Sequence, residues 1–314
     1  MTAAAGTLAT DLAGIALRNP VLLAAGTCGT LDEMADVLDL SRIGGVVSKS
    51  ITPLPREGNP TWRILPARAG MLNAIGLANP GIEAFEAHSL PRAAAMPCAV
   101  ICSVAGFSIE DYMQVAAVLD EWHDRGVSAI ELNISCPNVK TGAEFGMSPA
   151  LTGEVVRAAR AVVRHAALFV KLSPVAPELP IIARAAIEAG VDALTISNTI
   201  PAMAIDVRTR SPRLANVTGG LSGPALHPVS VRLVHEVYRR VARDAGVPII
   251  GAGGVTTWED AAEFVLAGAT AVQMGAALFA DPRAPLAVVR GLEKWVRSQG
   301  CASIRELIGA VKID

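Results

Sequence analysis

The chain has 314 residues, 52% of them hydrophobic and 18% charged, a composition that excludes a mainly disordered protein. At this length, folding can bury roughly three-quarters of the unfolded surface. A formal net charge of −2 leaves no basic footprint for nucleic acid or an anionic membrane surface.

The N-terminal stretch has no basic start before its small and apolar residues, so no secretory signal is predicted. No unbroken run of about 18 apolar residues predicts a membrane span. Next, LATDLAGIALRNP (8–20) predicts a hairpin turning at Ala13-Gly14, placed to plug the bottom of whatever sheet follows.

Eight short apolar or β-branched runs then predict strands: VLLAAG (21–26), GGVVSKS (44–50), CAVICSVAG (98–106), AIELNISC (129–136), LFVKLSP (168–174), ALTISNT (193–199), VPIIGAGG (247–254) and AVQMGAAL (271–278). Helical patterns separate most of them: LDEMADVLDLS, IEDYMQVAAVLDEWHDRG, GEVVRAARAVVRH, PELPIIARAAIEAG, PVSVRLVHEVYRRVARDAG and TWEDAAEFVLAGA. Several end at a glycine suited to a C-cap. Alternating β and α units imply parallel strands with right-handed crossovers, and eight of them fit a (β/α)8 TIM barrel forming a single domain over residues 1–314. Two long connections, 51–80 and 200–224, are rich in Gly, Pro and Asn and follow strand ends, where a barrel carries its active site.

Side chains alternate across a strand, so Lys171 points opposite to Val170 and Leu172, into the barrel. The same alternation sends Glu131 and Asn133, Lys49, and Thr195 with Ser197 to the barrel mouth. One lysine paired with Glu131 would be an ordinary buried ion pair. Two lysines with several amides exceed what one carboxylate satisfies, and an anionic or electron-rich ligand accounts for them better. GAGG (251–254) and MGAA (274–277) follow the seventh and eighth strands, where barrels hold a phosphate on backbone N–H groups. Thr256 stands where a dinucleotide fingerprint needs glycine.

The five cysteines are scattered, without paired metal-site spacing, which reads as a reduced cytoplasm. Cys136 ends its strand, with Pro137 fixing the turn, and is the candidate base or nucleophile; Cys98 and Cys102 read as buried packing, and Cys28 as packing or loop structure. The histidines show no ligand spacing, and no metal site is expected.

The stretches REGNPTWR (56–63), GMLNAIGLANPG (70–81), ELNISCPNVKTG (131–142), VKLSP (170–174), GGLSGPALHPV (219–229), PIIGAGGV (248–255) and ELIG (306–309) together resemble the class 1 dihydroorotate dehydrogenases across nearly the whole chain, and within them the NAD-linked class 1B catalytic subunit. The resemblance implies FMN across the barrel mouth, its phosphate on Gly223, Gly253, Gly254, Gly275 and Ala276, and its ring near Lys49, Asn133, Lys171 and Ser197, with Ala25, Ser50 and Ser103 also among the cofactor contacts. It implies dihydroorotate held by Lys49, the loop Asn73, Ala74, Ile75, Gly76 and Leu77, and by Asn133, Asn138, Asn198 and Thr199. Cys136 would take the C5 proton while C6 gives hydride to the flavin, yielding orotate for pyrimidine biosynthesis. Ala25, Ser103, Ser197 and Ala276 differ from the residues common in the family.

Electrons must then leave, and the sequence predicts neither a separate dinucleotide-binding domain nor a cysteine cluster for an iron–sulfur centre. The resemblance supplies a reductase subunit carrying FAD, a [2Fe–2S] cluster and the NAD site, bound to a homodimeric core as a heterotetramer. The alternatives are a fumarate-linked class 1A enzyme, another dihydropyrimidine-oxidising flavoenzyme, a non-catalytic flavin-binding subunit, and a phosphate-binding lyase barrel with Lys171 or Lys49 as Schiff base.

Overall fold

The computed structural model describes residues 6–135 and 145–313. Its strands, in chain order, are β1 (Thr10–Leu12), β2 (Ile15–Leu17), β3 (Val21–Leu23), β4 (Gly45–Val47), β5 (Ile64–Ala67), β6 (Gly70–Asn73), β7 (Ala99–Val104), β8 (Val127–Asn133), β9 (Ala167–Leu172), β10 (Ala193–Ile196), β11 (Ile200–Met203), β12 (Ile205–Asp206), β13 (Ser211–Pro212), β14 (Thr218–Ser222), β15 (Ile249–Ala252) and β16 (Ala269–Met274). Strands β3, β4, β7, β8, β9, β10, β15 and β16 pair in parallel in that order, and β16 returns to β3 to close the barrel. These are the eight strands expected from the sequence.

Strand periodicity grades the barrel interior. Leu22, Val47, Ile101, Ala129, Phe169, Ala193, Ile250 and Ala271, one from each barrel strand, form an apolar inner layer with Leu12 and Leu17. The last two come from the predicted hairpin, which turns through Ala13 (φ 55°) and Gly14 (φ 84°), the left-handed pair that a two-residue hairpin turn requires. Two residues further along, the inward positions become Lys49, Ser103, Glu131, Lys171, Thr195 and Gln273. Apolar packing therefore closes one end, and polar groups gather at the other.

Helices cover the outside and bury a second, larger core against the strands. Ser108 caps Ile109–Asp120 by accepting from Asp111 N, and Thr257 and Asp260 form a capping box on Trp258–Ala267. The expected helix at LDEMADVLDLS is absent: only two short 3-10 turns form there, Glu33–Asp36 and Leu40–Arg42. Side chains divert the backbone: Glu33 accepts from Leu31 N at 2.8 Å, and Asp39 from Ser41 N at 3.0 Å. Conversely, Ala284–Ser298 is a helix that the pattern reading left out, although Val288, Leu292 and Val296 bury one face at helical spacing.

The two long connections pair with each other. Strands β5, β6, β14 and β11 form one antiparallel sheet at the C-terminal mouth, with Leu221 opposite Leu72 and Ile200 opposite Leu221. Leu65, Leu72, Ala74 and Leu214 give it a small core of its own.

Candidate active site

A cleft of about 1140 Å³, counting space open to solvent, lies between the barrel mouth and this small sheet. One end is lined by glycine turns. Gly253 (φ 132°) and Gly254 (φ 72°) follow β15 and adopt conformations that disfavour any side chain. Space excludes one as well: a Cβ on Gly253 would sit 2.9 Å from Ser230 Cβ and nearer still to its Oγ, and one on Gly254 would sit 2.7 Å from His227 Cβ. Gly223, Gly275 and Ala276 line the same end. His227 Nδ1 lies 3.1 Å from the Gly253 carbonyl and steadies the turn from behind.

The other end is lined by amides, hydroxyls and lysines. Asn133 Nδ2 donates to Ser50 Oγ at 3.1 Å, while Ser135 Oγ and Asn198 Nδ2 both donate to Asn133 Oδ1, at 3.1 and 3.4 Å. Asn198 also donates to Ser135 Oγ at 2.9 Å, and its Oδ1 accepts from Thr199 N at 2.8 Å. Tyr112 Oη donates to the Asn133 carbonyl at 3.0 Å and fixes that strand end from the helix side. These contacts hold the amides in set orientations before any ligand arrives.

Below them runs a buried chain of polar contacts. Lys171 Nζ donates to Gln273 Oε1 at 3.0 Å, Gln273 Nε2 donates to Glu131 Oε2 at 2.8 Å, and Thr195 Oγ1 donates to the same oxygen at 2.6 Å. The pairing of a lysine with Glu131 suggested by the sequence is therefore indirect for Lys171, because Gln273 stands between them. Gln273 is a cleft residue that the sequence reading passed over. Its polarity within the apolar run AVQM was the available signal.

Of the expected site residues, Ala25, Lys49, Ser50, Asn73, Ile75, Gly76, Leu77, Asn133, Lys171, Ser197, Asn198, Thr199, Gly223, Gly253, Gly254, Gly275 and Ala276 all line this cleft. Ser103 does not: it is fully buried behind Ser50, with Oγ to Oγ at 2.8 Å, because its short side chain ends at the neighbouring strand. Ala74 does not either, since it packs into the small sheet's core. Cys136 and Asn138 lie outside the described residues. Burial pushes the Cys28 and Cys102 thiols up to about 12 and Cys98 to about 11, so these three stay protonated near neutral pH. Among the described residues no three His, Cys, Asp or Glu side chains gather to hold a metal, and no helix is long and apolar enough to cross a membrane.

A closed barrel with a glycine-lined end and a fixed set of lysines and amides at one mouth defines a (β/α)8 protein equipped for an elongated ligand, anionic at one end and rich in hydrogen-bonding groups at the other. The family model for dihydroorotate dehydrogenase matches residues 7–296. The chain belongs to that oxidoreductase family. It is 48% identical over 303 residues to the protein of Pelobacter propionicus named dihydroorotate dehydrogenase B (NAD(+)), catalytic subunit, covering 96% of this chain and 97% of that one. A protein of Solibacter usitatus, provisionally named dihydroorotate dehydrogenase A (fumarate), is 45% identical over 97% of this chain and 98% of its own. In fold, the chain matches the crystal structure of an Eimeria tenella dihydroorotate dehydrogenase in complex with ferulenol, with a TM-score of 0.81 at 23% identity, covering 97% of this chain and 88% of that one.

Proposed function

We propose that this chain oxidises dihydroorotate to orotate, for pyrimidine biosynthesis, with FMN held across the barrel mouth. The observation that carries this reading is that one cleft joins the glycine turns to the lysine and amide end, in a chain of this family. The residues fit FMN. Glycines at 253 and 254, where no Cβ can be accommodated, let backbone approach a phosphate, and the polar end offers donors to a flat heteroaromatic ring.

In this reading Gly223, Gly253, Gly254, Gly275 and Ala276 hold the phosphate, while Ala25, Lys49, Ser50, Asn133, Lys171 and Ser197 border the ring. When bound, FMN would supply the acceptor for the two electrons and the C6 hydrogen that leave the substrate. Lys171 presents positive charge to the cleft and so favours arrival of those electrons. Asn73, Asn133, Asn138, Asn198, Thr199 and Lys49 orient the substrate through its carboxylate and ring amides, and the loop from Asn73 to Leu77 covers it. Cys136 takes the C5 proton on its sulfur.

The electrons pass onward to NAD through a reductase subunit carrying FAD and a [2Fe–2S] cluster, bound to a homodimeric core of this chain. The name of the Pelobacter relative, an NAD(+)-linked catalytic subunit, supports NAD as the acceptor and the need for a partner subunit. A second reading, direct transfer to fumarate, has the name of the Solibacter relative in its favour. The visible spectrum of the purified protein tests the cofactor: flavin absorbance is expected, and a colourless protein that gains none on adding FMN would refute the reading. Turnover of dihydroorotate by the isolated chain with NAD or with fumarate, then with reductase added, tests the acceptor. NAD reduction only after the reductase is added supports the first reading; fumarate reduction by the chain alone supports the second.

A further inference from the structure

The buried contacts beneath the cleft have a direction built into them. Lys171 can only donate and the Glu131 carboxylate can only accept, whereas the amide of Gln273 does one at each end. A glutamine placed between them has one satisfactory orientation, Nε2 to Glu131 and Oε1 to Lys171, and those are the contacts present, at 2.8 and 3.0 Å. Thr195 Oγ1 uses its hydroxyl hydrogen on the same carboxylate oxygen and so reinforces that end.

Stability alone does not explain this arrangement. Glu131 is 0% exposed and its Oε1 has no hydrogen-bond partner among the described residues. A half-satisfied buried carboxylate is more costly than an apolar group of the same shape. A direct lysine–carboxylate pair would satisfy both charges better. Among the described residues, however, Lys171 bonds to Gln273 alone, and no ion pair joins it to Glu131. The amide keeps the negative charge one side chain away, and it occupies one of the three ammonium donors. The other two N–H donors are taken by no described residue, and Lys171 lines the cleft, so they are available to a ligand there.

We propose that Gln273, oriented by Glu131 and Thr195, is the positioning residue for Lys171, holding the ammonium at the cleft without neutralising it. This rests on the cofactor reading above, in which Lys171 borders the flavin ring. Gln273 acts through the lysine, so its removal matters only while the lysine is there.

The test uses the flavin-loaded protein and reads flavin content and midpoint potential, not turnover. Gln273→Leu should shift the potential in the same negative direction as Lys171→Ala, and the double variant should lie no lower than Lys171→Ala alone. Glu131→Gln, which keeps the shape but removes the negative charge, should shift the potential the other way. A merely structural network would lower the unfolding temperature and leave the potential in place. A folded, flavin-bearing Gln273→Leu with the wild-type potential overturns the proposal, and so does a double variant in which both single shifts add in full. Should Gln273→Leu fail to fold, Glu131→Gln decides the matter by the sign of its shift: an unchanged or more negative potential overturns the proposal. A wild-type protein that binds no flavin overturns the cofactor reading and this inference together, whereas the other failures leave the cofactor reading standing.

Discussion

Replacing Gly253 by alanine tests whether the turn after β15 is shaped for an anion or merely for packing. The added methyl would lie 2.9 Å from Ser230 Cβ, closer to Ser230 Oγ, and 3.3 Å from Leu226 Cγ. Ser230 is fully buried on the helix His227–Val237, and its Oγ is shared with Ser197 Oγ at 2.8 Å. Turning Oγ away would relieve the closest overlap but break that bond, at about 1 kcal/mol. The Cβ overlap would remain, and overpacking of this kind costs about 1–3 kcal/mol. Backbone strain at φ 132° adds about 1 kcal/mol or more. The sum is about 3–5 kcal/mol. With unfolding entropy near 2.1 cal/mol/K per residue over the whole chain, that is a fall of about 5–8 °C in Tm.

A turn shaped to cradle an anion predicts more than this fall. Gly253→Ala should lose FMN retention out of proportion to its stability, because the methyl and the shifted turn stand where the phosphate is held. The assay is thermal unfolding with and without added FMN, alongside the flavin content of the purified protein. Wild type should gain stability from FMN, as any ligand of the folded state confers, and the variant should gain little. Ser230→Gly in the same chain should recover part of the steric loss and none of the backbone strain. A Gly253→Ala protein that keeps full flavin content and the wild-type gain in Tm would refute the reasoning.

Cys136→Ser should lower dihydroorotate turnover by about 10²- to 10⁴-fold, the usual worth of a general base, with flavin still bound; near wild-type kcat would remove Cys136 from its role. Lys171→Ala should lower the flavin potential or loosen FMN, which equilibration with a redox dye and gel filtration measure; no change in either would count against its place beside the ring. Asp120 accepts from the backbone N–H groups of Arg164, His165 and Ala166 at 2.9, 3.0 and 2.8 Å. Burial pushes this carboxyl up, but the three donors, Ala166 foremost, together outweigh it and leave its pKa below the ordinary value. Its stabilisation is therefore fully present above the unfolded carboxyl pKa, about 3.9, and is lost as pH falls through the lower folded value. Asp120→Asn should destabilise by about 2–4 kcal/mol at pH 7, with the gap from wild type narrowing below about pH 4; an equal gap at pH 7 and pH 3 would contradict this sign.

The barrel was legible because its signals are local. Each strand is a short apolar run, and alternation alone sent Glu131, Lys171 and Thr195 inward, where Thr195 meets Glu131 directly and Lys171 reaches it through Gln273. The glycine pairs were legible for the same reason. The small sheet at the mouth was not, because β6 and β14 pair across separations such as the 151 residues between Met71 and Ser222, and no local pattern encodes that register. The helix expected at LDEMADVLDLS failed because Glu33 and Asp39 bond to backbone N–H groups nearby, a competition that periodicity does not register. Ser103, expected by resemblance among the cofactor contacts, carries a shorter side chain than is common there and ends on Ser50, one side chain behind the cleft lining.

The grading of the barrel interior links fold to function. Leu12 and Leu17 close the apolar end and keep water from reaching the Glu131 and Lys171 layer from below, so both charges lie in a medium of low polarity, with Lys171 only 7% exposed. Burial makes each charge costly, by several kcal/mol even after relaxation. It also makes each charge felt strongly at short range, since Coulomb energy scales inversely with the local dielectric. A lysine on the solvent rim would be cheap and almost mute, whereas one inside the barrel, held by a neutral amide, is expensive and effective. The apolar layer beneath offsets the cost, each buried Leu, Ile or Phe contributing about 1.5–3 kcal/mol. The sequence thus places its most stabilising side chains directly under its least stabilising ones. The polar layer is then free to be shaped by the chemistry of the cleft.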